Sequence, residues 1–226
     1  MNFLSHLFID RNNDESHNIG LTVPDIIGFQ NRKYRISITK IELMKNDPEF
    51  RIFCPFIDGL KKHITLDRWF HTHEVFKEST ETISMDYYDY SGTHLGAFFS
   101  HILFEILIDR YILTLEPAIA DDFYNGYKSF DFNSVIPLFE KYGDFNRAGF
   151  IEFVNLVANS DFLRQYSDFN NLRSILYRVA GRVETPASII PDDKSFGNYC
   201  RSVYEKLADT ISEIVISASF VNNKGI

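Results

Sequence analysis

The sequence predicts an all-α protein whose 226 residues form a single-domain helical bundle. Apolar residues recur at helical spacing along most of the chain, whereas the alternation typical of strands is rare and short. No stretch rich in Pro, Gly and Ser divides the chain, and hydrophobic residues make up 45% of it, which is enough to bury one sizeable core. We therefore expect one domain over residues 1–226.

Helix-start signals and apolar periodicity place the elements in chain order. MNFLSHLFI is predicted as the first helix, ended by the polar loop RNNDESHN. In NDPEF, Asp47 is placed to cap a helix and Pro48 to fill its first position, and Glu116-Pro117 opens another helix in a similar way. The other helices are expected near residues 33–45, 94–115, 131–142, 146–158, 161–180 and 192–219. The helix that carries GLKKHITLDRWFHTHEVF is expected to end at about residue 76.

Charge, hydropathy and cysteine content exclude several classes of protein. A net charge of -8 makes the chain a poor candidate for binding a nucleic-acid backbone, which needs clustered Lys and Arg. No apolar run reaches ~18 residues, so no transmembrane helix is expected. MNFLSHLFID lacks the features of a secretion signal, which favours a cytoplasmic protein. Cys54 and Cys200 fit neither a disulfide framework nor a CxxC zinc site.

A row of metal-ligand-type side chains lies in GLKKHITLDRWFHTHEVF, residues 59–76, where His63, Asp67 and His71 recur at four-residue steps. On a helical wheel of ~100° per residue, Asp67 and His71 point the same way as Leu60, and His63 lies at the edge of that arc. The row therefore faces the core. Because burying a lone carboxylate is very costly, Asp67 requires a partner or a cation.

A second row with the same spacing occurs in SHILFEILIDRYIL, where His101, Glu105 and Asp109 lie on a helix that is apolar almost all round. Such a helix is buried on most sides, so Glu105 and Asp109 must face something that compensates their charge. Two facing helices that each give histidine and carboxylate side chains are a known way to build a metal site inside a bundle. We therefore predict that the two rows face each other across a divalent metal.

Each row alone has a simpler interpretation. A single HxxxD on a helix is usually an ion pair or a hydrogen bond, and a core histidine is more often a satisfied polar group than a ligand. Two parallel rows on the two best-buried helices favour the metal site. His6, on the apolar first helix, and Asp25, in VPDII, are further candidates. Taken alone, His6 is explained as a core histidine and Asp25 as a helix cap.

The segments MNFLSHL, GLTVPDI, GLKKHITLDRWFH and FFSHILFEILIDRYIL, in this order and spacing, resemble the acyl carrier protein phosphodiesterase family. The resemblance covers roughly residues 1–30 and 56–115, with a weaker similarity in LYRVAGR, residues 176–182. That family is usually grouped with the HD-domain metal-dependent phosphohydrolases, so the resemblance implies an HD-domain-like bundle and a divalent metal such as manganese. Its enzymes remove the phosphopantetheine arm from the carrier protein.

The resemblance also implies roles for individual residues. His6 and Asp25 match the family's N-terminal histidine and the acidic residue after its first helix. His63 and Asp67 match its His-x-x-x-Asp motif, and His101 and Glu105 fall on positions that commonly hold carboxylates in the family. Asp109 lies one turn further along. Arg182 matches a basic residue that would meet a substrate phosphate.

The chain also departs from the family pattern. His71 stands where the better-known enzymes tend to have an acidic residue, and His101 adds another imidazole. Extra nitrogen ligands favour Zn, Fe, Ni or Mn over Mg, so one or two such ions are expected in a divergent member of the family. Acyl carrier protein is strongly acidic and would need a local basic patch, for which NRKYR at 31–35 and Lys61-Lys62 are the candidates.

The function predicted from these observations is metal-dependent hydrolysis of a phosphodiester, with holo-acyl carrier protein as the substrate. The expected metal ligands are His6, Asp25, His63, Asp67, His71, His101 and Glu105. Asp67 is also expected to be essential for catalysis, Asp109 to relay protons and Arg182 to bind phosphate. Two alternatives remain, a zinc-dependent phospholipase C-like hydrolase and a catalytically silent helical protein that binds a partner.

Overall fold

Helices, without any β-strand, make up the regular structure of the described residues. The computed structural model describes residues 3–30, 33–182 and 195–223. The all-α prediction is confirmed for this part of the chain. Its thirteen α-helices are α1 (Phe3–Asp10), α2 (Glu15–Gly20), α3 (Val23–Gln30), α4 (Ile38–Asn46), α5 (Cys54–Thr72), α6 (Glu74–Ser91), α7 (Ala97–Leu115), α8 (Ile119–Ser129), α9 (Phe132–Lys141), α10 (Arg147–Ala158), α11 (Phe169–Arg182), α12 (Ser195–Lys206) and α13 (Ala208–Asn223). Two 3-10 helices span Pro48–Phe53 and Arg164–Ser167.

Several element boundaries differ from the sequence prediction. Helix α2 begins within the expected polar loop RNNDESHN, and the side chain of its N-cap, Asp14, accepts the backbone N–H of His17 at 3.1 Å. The helix expected up to residue 76 ends at Thr72, and α6 follows directly. The helix expected at 192–219 is divided into α12 and α13. A capping side chain, Asp14, accounts for the start of α2, whereas α6 begins without one and α12 and α13 are separated at the buried Leu207.

The interior is built around α7. Its buried positions lie on all sides of the helix, which agrees with its nearly uniform apolar sequence. It packs against α1, α6, α11 and α13, and the buried hydrophobic residues of these and the remaining helices form one cluster. Only two polar side chains of its middle turns, Glu105 and Asp109, are buried with it. Their surroundings therefore determine what this helix contributes to function.

Helices α2 and α5 cross with their backbones in direct contact. A Cβ atom added to Gly59 would lie 2.9 Å from the Cα atom of Gly20, and one added to Gly20 would lie 3.0 Å from the Cα atom of Gly59. Both distances are shorter than carbon–carbon van der Waals contact. Glycine at both positions thus allows the chain that follows α2, beginning at Leu21, to lie against α5.

None of the helices in the described stretches combines the length and the apolar character needed to cross a bilayer. Cys54 and Cys200 are both free thiols, as their separation in the sequence predicted. The expectation of a single domain over residues 1–226 stays a prediction.

Candidate metal centre

The two rows predicted from the sequence meet at one pair of side chains, His71 on α5 and Glu105 on α7. Helix α5 presents His63, Asp67 and His71, and α7 presents His101 and Glu105. The imidazole Nε2 of His71 lies 3.2 Å from Oε1 of Glu105, which joins the two helices directly. Together with His6 of α1, and without Asp109, ligand-type atoms of the two rows form two groups of three, each with its atoms within 4.8 Å of one another.

The inner group consists of His6, His63 and Asp67. Helix α1 brings His6 over His63, and their rings stack with centroids 3.9 Å apart and planes 29° apart. Both histidines are buried, and Asp67 is partly exposed. His63 Nδ1 donates to the carbonyl oxygen of Leu21 at 2.7 Å, which leaves Nε2 as the nitrogen that would bind a metal, and Asp25 Oδ1 lies 3.6 Å from that nitrogen.

The outer group consists of His71, His101 and Glu105. His101 Nε2 lies 3.0 Å from the same Glu105 oxygen that meets His71, and the two imidazole rings have centroids 4.6 Å apart. Glu105 is buried, whereas the side chains of His71 and His101 are 29% and 35% exposed. His71 Nδ1 lies 3.3 Å from Asp67 Oδ2, so the outer and inner groups adjoin. Solvent reaches the outer group through its two histidines and the inner group through Asp67, whose side chain is 39% exposed.

The environment sets the charge of each group. Burial, together with the adjacent His63, lowers the pKa of His6 well below its usual value, so His6 is neutral. Burial acts to raise the pKa of Glu105, but its bonds with His101 and His71 help hold that pKa well below the usual range. Burial also acts to lower the pKa of His71, yet the carboxylates of Asp67 and Glu105 raise it to about 9. Without an ion, a protonated His71 therefore bridges two carboxylates.

The residues fit a divalent transition metal. His6 Nδ1 is buried and has no hydrogen-bond partner among the described residues, which is costly unless something else meets it. The bond from His63 to a backbone carbonyl fixes its tautomer and orients the ring as metal-bound histidines require. Each group offers two imidazoles and one carboxylate, a set that suits Zn, Fe, Mn or Ni. A cation would take the place of the proton on His71.

The remaining candidates lie at different distances from this centre. Asp25 is at the edge of the inner group, beside His63. Asp109 belongs to neither group, because it is fully buried and accepts the backbone N–H groups of Leu4 and Ser5 at 3.2 and 3.0 Å. Burial raises the pKa of Asp109 to about 8, although the hydrogen bonds from Leu4 and Ser5 act to lower that pKa. The proton relay through Asp109 stays a prediction.

Two predicted substrate contacts fall partly outside the described structure. Arg182 is the last residue of α11, but its side chain lies outside the described part. Of the expected basic patches, residues 31 and 32 also lie outside it, and Lys61 Nζ donates to Glu42 Oε1 at 2.6 Å. The Lys61 charge is therefore partly neutralised.

Sequence reasoning also missed the Leu21 carbonyl, which accepts from His63, because a backbone acceptor leaves no signal in residue type.

The fold and these two groups define an all-α protein with a histidine–carboxylate centre between facing helices. The chain belongs to the acyl carrier protein phosphodiesterase family, which it matches over residues 1–214. Comparisons with curated proteins and with solved structures gave no significant match.

Proposed function

We propose that this protein is a metal-dependent phosphodiesterase of HD-domain-like architecture that releases phosphopantetheine from holo-acyl carrier protein. The observation that supports this proposal is the pair of adjoining His/His/carboxylate groups, joined by the contact between Asp67 and His71, in a member of the acyl carrier protein phosphodiesterase family. In the inner group His6 and His63 are buried, whereas the side chain of Asp67 is 39% exposed, so the centre is partly open to solvent.

His6, His63 and Asp67 would hold one ion, with Asp25 beside them, and His71, His101 and Glu105 would hold a second. When bound, a divalent ion supplies Lewis-acid activation of water and of the phosphoryl oxygens. Asp67 touches both groups, so it determines their spacing.

The partial exposure of Asp67, His71 and His101 makes the place where the two groups adjoin the side from which a phosphodiester would approach. In hydrolysis, the water oxygen bonds to phosphorus, the bond from phosphorus to the carrier oxygen breaks, and a proton from water ends on that oxygen. Arg182 is the proposed contact to the non-bridging phosphate oxygens, on the family resemblance alone.

A catalytically silent network is the main alternative, because Glu105 already bonds with His71 and His101 without an ion. Elemental analysis of purified protein separates these possibilities, since only the enzyme proposal expects one or two equivalents of a divalent metal. Release of phosphopantetheine from holo-acyl carrier protein, followed by mass spectrometry, then tests the substrate. Hydrolysis of phospholipid vesicles instead would support the phospholipase C-like alternative.

The mechanism is tested with Asp67→Ala, which removes a carboxylate that touches both groups. Hydrolysis of bis(p-nitrophenyl) phosphate with added Mn²⁺ should fall on the order of a thousandfold or more, because a metal ligand commonly supplies several kcal/mol of transition-state stabilisation. His94→Ala is the matched control, since His94 is exposed and stacks on Tyr88 with centroids 4.7 Å apart. Equal rates in wild type and Asp67→Ala would refute the metal mechanism.

A further inference from the structure

Asp109 occupies a position that neither candidate metal group explains. It is a fully buried carboxylate in the middle of α7, and its two oxygens accept separate N–H groups from the first turn of α1, Oδ2 from Leu4 and Oδ1 from Ser5. The first N–H groups of a helix have no partner within the helix. Side-chain oxygen atoms placed at that end can accept these N–H groups.

Helix α1 has no acidic residue in its own first turn. Asp109 therefore supplies, from another helix, side-chain acceptors for two N–H groups in the first turn of α1. An eight-residue helix such as α1 is too short to be stable alone, so its position depends on what it packs against and on what caps it.

The two helices that Asp109 connects, α1 and α7, both carry candidate ligands. Ser5 precedes His6 of the inner group, and Glu105 of the outer group lies one turn before Asp109 on the same helix. The stacked arrangement of His6 on His63, at 3.9 Å, leaves little freedom for α1 to shift along α5. A change in the position of the α1 N-terminus would therefore move His6 away from the other two members of its group.

We propose that Asp109 is a positioning residue, whose carboxylate holds the N-terminus of α1 against α7 so that His6 reaches the same ion as His63 and Asp67. This role rests on the proposed function, because it assumes that the inner group binds a metal. It differs from a proton relay, since Asp109 acts through the backbone of α1 and does not touch the substrate.

The test is Mn²⁺ binding by isothermal titration calorimetry, with the melting temperature of each metal-free variant measured alongside. Asp109→Ala should weaken one class of Mn²⁺ site by about 10–100-fold, the loss typical of removing a group that orients a ligand. Asp109→Asn keeps one acceptor oxygen and should give a smaller loss; it also serves if the alanine variant does not fold. Asp131→Ala is the matched control, since Asp131 caps α9 through the N–H of Asn133 at 3.1 Å and should lower the melting temperature without changing Mn²⁺ affinity.

A double-mutant cycle distinguishes positioning from general destabilisation. If Asp109 acts through His6, then Asp109→Ala should have no further effect on Mn²⁺ affinity in a His6→Ala background. Additive losses, or unchanged affinity in Asp109→Ala and Asp109→Asn despite a lower melting temperature, would overturn the positioning role alone. Absence of Mn²⁺ binding in the wild type would instead overturn the proposed function and this role with it.

Discussion

The glycine contact between α2 and α5 makes a sharp prediction about stability. In Gly59→Ala, the new Cβ would lie 2.9 and 3.0 Å from the Cα and carbonyl carbon of Gly20, and it would also clash with the carbonyl oxygen of His17. Carbon atoms pack at about 3.5–4.0 Å, so α2 would have to move by roughly 0.5–1 Å. Both obstacles are backbone atoms, which cannot rotate away as a side chain can.

We expect Gly59→Ala to lower the free energy of unfolding by about 1–3 kcal/mol. Forcing a methyl group into a closed contact costs about 1–3 kcal/mol, and weakening the bond from His63 to Leu21 costs about 1 kcal/mol more. The better helix propensity of alanine returns about 0.5–1 kcal/mol. For a chain of 226 residues this corresponds to a fall in melting temperature of about 3–10 °C.

The measurement is urea unfolding followed by circular dichroism, with the melting temperature as a second readout. Gly28→Ala is the matched control, because Gly28 is an exposed residue of α3 and a Cβ there would meet nothing within 4 Å. That control should be more stable than the wild type by about 0.5–1 kcal/mol. If Gly59→Ala is as stable as Gly28→Ala, the close crossing does not constrain the fold and the reasoning is wrong.

Two further predictions concern pH and metal. His17 Nε2 lies 2.9 Å from Asp10 Oδ2, and this bond raises the pKa of His17. The stability from the pair should therefore be complete below about pH 6.5 and be lost as the pH rises through the folded-state pKa. Urea unfolding from about pH 6 to pH 9 should show the stability advantage of wild type over His17→Gln shrinking, and a constant difference would contradict this. Removal of metal by a chelator should lower the melting temperature by about 5–10 °C, since an ion at 100 times its Kd contributes about 2.7 kcal/mol. An unchanged melting curve in protein shown to contain metal would argue against coupling between the ion and the fold.

The facing rows could be predicted from the sequence because helical geometry is regular. Four-residue steps place His63, Asp67 and His71 on one face, and the apolar surroundings of Glu105 require that it be buried. The sequence does not show, however, that these side chains divide into an inner and an outer group. That division depends on where α1 brings His6, and the packing of one short helix on others leaves no periodic signal.

One helix was missed in the sequence because a single polar side chain starts it. The loop expected at RNNDESHN forms α2 because Asp14 accepts the N–H of His17 and thereby starts a helix. Asp109 is a related case. Its spacing with His101 and Glu105 predicts a third member of the ligand row, but its burial against the N-terminus of α1 gives it different partners. A periodic pattern identifies the face of a residue, and the neighbouring helix determines its role.

The long separation between α1 and its cap has a consequence for synthesis of the chain. Leu4 and Asp109 are 105 positions apart, so α1 leaves the ribosome well before the carboxylate that holds it. At roughly 5–20 residues per second, that interval is about 5–20 s. During this time a nascent chain already carries His63 and Asp67 but has no fixed place for His6. The proposed inner group can therefore bind an ion with all three ligands only after α7 has been made, and a truncated chain that ends before α7 should not retain the ion.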